Sequence, residues 1–107
     1  AAVLGGVTAL FEMPNTNPPT SNLVEFDKKL QAAKNRMHSN YAFYFGATPD
    51  NTDQLAQLKD VEGCCGVKLF AGSSTGNLLV DKEADIEKVI SSSENKILLF
   101  RGPYKSF

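Results

Sequence analysis

Apolar positions fall into four short runs separated by longer stretches in which apolar and polar residues mix. Val7 to Met13 is apolar with Val7 and Thr8 β-branched, and Pro14 closes it; the run predicts a strand. From Asn22 to Met37 the apolar residues Leu23, Phe26, Leu30, Ala33 and Met37 recur at steps of three and four, one buried face of a helix. Asn22 and Glu25 have the spacing of a capping box. Tyr41 to Phe45, closed by Gly46, predicts a second strand. Thr52 can cap a short helix that runs through Leu55 and Leu58. Val67 to Phe70 predicts a third strand, and Asp81 can cap a helix that turns Ile86, Val89 and Ile90 inward. Ile97 to Phe100 predicts the fourth.

The order is therefore β-α-β-α-β-α-β, with strand starts every ~26–34 residues, a βαβ rhythm. The strands read as continuous apolar runs, as in a parallel sheet covered on both faces. Crossovers are expected to be right-handed. The fold class is α/β: four parallel strands in sequential order make part of a barrel or half of an open doubly wound sheet. As a half-barrel the sheet has two unpaired edges, a liability for a free-standing domain. The opening Ala1 to Leu4 before Gly5-Gly6 also resembles the last turn of a helix, with no initiator Met. Both features predict an internal piece of a longer protein, a single partial domain over 1–107.

Composition narrows the function classes. Eleven Lys and Arg against twelve Asp and Glu give a formal charge of −1, which suggests neither nucleic acid nor an anionic membrane as a partner. No apolar run approaches the ~20 residues that span a bilayer, and the start shows no secretory leader. Cys64 and Cys65 are the two cysteines and are adjacent, a poor geometry for a structural disulfide. A reducing cytoplasm is the expected setting.

Two strand ends hold the candidate chemistry. Met13-Pro14-Asn15-Thr16-Asn17-Pro18 and Gly66-Val67-Lys68-Leu69-Phe70 each place one polar side chain where a strand meets its loop. In parallel α/β folds ligands gather at the carboxyl ends of strands. A lysine within an apolar strand is costly unless something uses it, and burial lowers its pKa. Otherwise Lys68 extends to solvent or pairs with an acid. An amide such as Asn15 can donate to a carboxylate without adding charge; otherwise it caps its own turn, as Asn often does.

These segments, with Gly5-Gly6-Val7-Thr8 before the first and Gly72-Ser73-Ser74-Thr75-Gly76-Asn77 after the second, resemble dihydroorotase, a cyclic amidohydrolase of the amidohydrolase superfamily. The similarity runs to about Leu99; residues 100–107 depart from it. The resemblance implies a partial (β/α)8 TIM barrel of about four strands and three to four helices. It implies a parent that interconverts carbamoyl-aspartate and dihydroorotate in pyrimidine synthesis, a small-molecule enzyme that can be a homodimer. It assigns Asn15 to the substrate carboxylate. It assigns Lys68 to metal binding, as an N6-carboxylated lysine bridging two zinc ions. A hydantoinase-like amidohydrolase is the neighbouring alternative.

The family pattern also requires a His-x-His pair on a first strand, a histidine after the strand Ile97 to Phe100 and a late aspartate, and the chain supplies none of these. The expectation is that the chain alone retains no zinc pair and has no appreciable hydrolase activity. The loop Gly72 to Asn77 also resembles the phosphate loop of flavodoxins, so an FMN-binding module is a reading from a different class. A non-catalytic remnant serving as an interaction surface is a third. His38 is expected at a helix end on the opposite face from the site, and Cys64-Cys65 as packing residues.

Overall fold

A computed structural model describes residues 1–72, 78–94 and 96–102. Four strands, β1 (Ala9–Glu12), β2 (Asn40–Gly46), β3 (Cys64–Phe70) and β4 (Leu98–Arg101), pair in parallel in the order β1-β2-β3-β4. Three helices connect them: α1 (Leu23–Ala33), α2 (Thr52–Gln57, continued by a 3-10 turn over Leu58–Asp60) and α3 (Glu83–Ser92). The result is a curled parallel half-barrel with helices on its outer face.

Side-chain alternation along each strand assigns the faces. Phe43 and Phe45 of β2 and Val67 and Leu69 of β3 join Phe26 and Ala33 of α1, Leu55, Leu58, Ile86 and Val89 in one core between sheet and helices. Phe26 packs edge-on to Phe43, with ring centroids 6.3 Å apart. Lys68 and Phe70 point the other way, into the concave face, and are also buried. β3 is thus covered on both sides, as its apolar run predicts.

Several boundaries move. α1 stops at Ala33 because the chain turns out at Lys34 and Asn35 takes a left-handed φ of 62°; Met37 is consequently exposed. Asn22 caps α1, its Oδ1 accepting from Glu25 N at 2.8 Å. Thr52 opens α2 without capping it, and α3 follows Lys82 rather than Asp81, with no side-chain cap on either helix. Ile90 faces outward at 47% exposure. All four residues of β1 are exposed, unlike the buried strand its composition predicts. The opening turn is a short 3-10 segment, Val3–Gly5, ended by Gly6 at a left-handed φ of 89°.

Candidate functional site at the carboxyl rim

The β1–α1 loop is held at the carboxyl end of β2. Thr20 N donates to Pro14 O, and Gly46 N donates to Thr20 O at 2.8 Å. Gly46 is needed here: a Cβ would stand 2.9 Å from Leu78 Cδ2 and 3.2 Å from Pro14 Cβ. Its absence lets Pro14 from one loop and Leu78 from another close over the strand end. Gly46 is also the register partner of Lys68, whose carbonyl accepts from Ala47 N at 2.9 Å. The loop carrying Asn15 and the strand carrying Lys68 therefore meet at one rim.

Asn15 is exposed on that loop, and its side chain makes no hydrogen bond among the described residues. The local loop bond belongs to its neighbour: Thr16 Oγ1 donates to Pro18 O at 2.8 Å. The Asn17–Pro18 bond is cis. Asn15 is thus a free amide rather than a turn cap.

Lys68 is 7% exposed. Its ammonium lies over the Phe70 ring, 5.2 Å from the centroid. Desolvation pushes its pKa below the ordinary lysine value, and the charge of Arg101 pushes the same way. Arg101 is the register partner of Phe70 across β3 and β4. Among the described residues, no carboxylate approaches within ion-pair distance of Lys68.

The two-zinc role implied for Lys68 can be tested on these surroundings. A bridging ligand needs further histidines or carboxylates nearby. No group of three or more His, Cys, Asp or Glu that could hold a metal occurs among the described residues, and the charge that acts on Lys68 is that of a cation, Arg101. The described residues do not fit a metal pair, although Lys68 is a largely buried lysine with a lowered pKa, of the kind such chemistry uses. His38 is exposed just before β2, at the amino rim. Cys64 and Cys65 open β3 at that same rim; burial pushes both thiols up, so neither is a ready thiolate. Most of the Gly72–Asn77 loop (73–77) and residues 103–107 of the tail lie outside the described residues.

Asn51 escaped the sequence reading. It is 4% exposed. Its Nδ2 donates to Ser21 O at 2.7 Å and Gly46 O at 2.8 Å, and its Oδ1 accepts from Thr48 N at 2.8 Å. It ties the β1–α1 loop to the end of β2. The available signal was the turn run Thr48-Pro49-Asp50-Asn51, which looks like ordinary turn chemistry. A groove of about 500 Å³ lies elsewhere, along β1 and α1, lined by Leu10, Phe11, Glu12, Lys29, Met37 and Tyr41 among others. Neither Asn15 nor Lys68 lines it.

The chain is 42% identical over 106 residues to the mitochondrial allantoinase of Aquarana catesbeiana, covering 95% of this chain and 22% of that protein. It is 35% identical over 74 residues to the L-hydantoinase of Paenarthrobacter aurescens, covering 69% and 16%. It is 35% identical over 78 residues to the dihydroorotase of Thermococcus kodakarensis, covering 73% and 18%. No family model matches. Among solved structures, the L-hydantoinase (dihydropyrimidinase) from Arthrobacter aurescens superposes with a TM-score of 0.80 at 26% identity, covering 94% of this chain and 23% of that one. These relatives are cyclic amidases of the amidohydrolase family, and the chain spans 16–22% of the curated relatives' lengths.

Proposed function

We propose that these residues are one part of a (β/α)8 hydrolase that opens an amide bond in a small cyclic ureide. A hydantoin-type ring such as allantoin ranks first as substrate, and dihydroorotate second. One observation carries this reading: a match to an allantoinase at 42% identity over nearly the whole chain, where the dihydroorotase match is lower and shorter. The dihydroorotase reading keeps the support of the Met13–Pro18 motif and of the Thermococcus relative.

In this reading Asn15 binds the polar edge of the substrate. Its free amide at the strand-end rim supports the role, because it has both donors and an acceptor available. Zinc, as in the dihydroorotase-like reading, would be held by residues beyond those described, with Lys68 as this chain's contribution. Since the surroundings of Lys68 do not fit a metal pair, no catalytic step is assigned to it. The substrate is a small molecule, and a reducing compartment such as the cytoplasm suits two unpaired thiols.

The test is ring opening of allantoin, hydantoin and dihydroorotate, each with zinc and bicarbonate, by the 107-residue chain and by the longer protein containing it. The expected result is no turnover by the chain and fastest opening of allantoin by the longer protein. Asn15→Ala in that protein is expected to raise KM while leaving kcat nearly unchanged. Turnover by the chain alone would overturn the reading as a part, and a preference for dihydroorotate would return the assignment to dihydroorotase.

A further inference from the structure

We propose that Asn51 is a positioning residue for Asn15: together with Gln54 it holds the β1–α1 loop in the conformation that presents the Asn15 amide at the carboxyl rim. The inference rests on the reading of Asn15 as the substrate-binding amide.

Asn15 has no anchor of its own. It is exposed, and its side chain makes no hydrogen bond among the described residues. Its place is set by what holds the loop on either side. Pro14, immediately before it, is buried. Pro14 O accepts from Thr20 N at 2.9 Å, and this bond closes residues 14–20 into a loop. Thr20 is fully buried, and its carbonyl accepts from the Gly46 amide.

The remaining anchors come from the segment after β2. Asn51 Nδ2 donates to Ser21 O at 2.7 Å and to Gly46 O at 2.8 Å, so one NH2 group joins the end of the loop to the end of the strand. Its Oδ1 accepts from Thr48 N at 2.8 Å, which fixes the orientation of the amide itself. Gln54 Oε1 accepts from Leu23 N, the first residue of α1, at 2.9 Å. Gln54 N donates to Asn51 O at 2.9 Å, so both ties belong to one segment. β1 is exposed along its length and offers the loop no buried support.

The position calls for an amide. Both N–H groups of Asn51 meet carbonyls of two different segments, and its oxygen meets a third group. A carboxylate there has no donor and would face two carbonyl oxygens. An ordinary turn Asn bonds only within its own turn, as Oδ1 does with Thr48 N. The bond to Ser21 goes beyond that role, and it is directed at the loop that carries Asn15. A binding group on a loop keeps its productive geometry only when buried neighbours lock its support.

The experiment uses the longer protein and the cyclic amide that it opens fastest. Asn51→Ala is expected to raise KM about tenfold with kcat little changed, the pattern expected of Asn15→Ala. In the Asn15→Ala background the same change is expected to add nothing, because the group it positions is gone. Hydrogen exchange, read by mass spectrometry in the same proteins, is expected to speed up at the Thr20 amide. It is expected to stay unchanged at the Val67 amide, which donates to Ile97 O within the sheet. Gln54→Ala is expected to raise KM by a smaller factor, and Gln54→Glu to restore it, because a carboxylate still accepts from Leu23 N. That pair decides the matter if Asn51→Ala fails to fold. KM increases that multiply in the Asn15 and Asn51 double variant, or exchange that speeds up equally at Thr20 and Val67, would make Asn51 a general stabilising residue and overturn the proposal. An unchanged KM in Asn15→Ala would overturn the substrate role of Asn15 instead, and exchange at Thr20 would then decide alone whether Asn51 holds the loop.

Discussion

β3 and β1 read alike as sequences and differ sharply as structure. Both are apolar runs that place one polar group near the carboxyl rim. In β3 all residues except Cys65 are buried, because β2 and β4 flank it, helices cover one face, and Leu78 and Val80 fold back by the rim, where Val80 N donates to Phe70 O. β1 has a strand on one side only, and Phe11 is 60% exposed. Apolarity therefore qualified both segments as strands, while the number of neighbours decided which was buried. The chemistry follows the same division. The buried strand perturbs its lysine; the edge strand delivers Asn15 to solvent through a loop.

The sharpest way to break this comparison is to truncate one aromatic in each region. Phe45→Ala removes a fully buried ring from the core, and a loss of about 3–5 kcal/mol is expected in urea denaturation. Phe11→Ala on β1 is expected to change stability by no more than about 0.5 kcal/mol. Comparable losses at the two sites would show that β1 is covered in solution and that the contrast is false.

Asn51→Ala comes next. It orphans Ser21 O, Gly46 O and Thr48 N, and each group left unpaired in the interior costs about 1–3 kcal/mol. Faster hydrogen exchange at the Gly46 amide is expected alongside the lower midpoint, since that amide donates to the same loop at Thr20 O. Unchanged exchange there would rule Asn51 out as the tie between loop and sheet. A smaller effect is expected of Asn22→Ala, which removes the α1 cap at about 1 kcal/mol by thermal melting; Asn22→Asp should retain it.

The last prediction concerns pH. The folded-state pKa of Lys68 is lowered, so in the window between that value and the ordinary lysine pKa the unfolded chain binds more protons than the folded one. Stability then rises with pH through this window, and the gain is complete above the ordinary value. Lys68→Met should flatten that rise. A wild-type profile with the same slope as the variant would mean that the amine is not desolvated.

The site was partly legible in advance. Asn15 and Lys68 stood out because a polar group at the end of an apolar run is visible in one dimension, and the structure brings their two segments to one rim. Arg101 was legible only as a departure from a family pattern, because its effect on Lys68 depends on the β3–β4 register. Asn51 was hidden for a similar reason: its partner Ser21 lies 30 positions away. Met37 and Ile90 satisfied a helical period and still face solvent.

Periodicity, caps and strand order were present in the linear pattern, because they depend on residues a few positions apart and on backbone sterics that every chain shares. Which apolar runs are buried, which lysine loses its water and which amide ties two loops together were settled only by folding. Each of those properties is created by groups distant in the chain, and desolvation exists only once they have closed around the atom concerned.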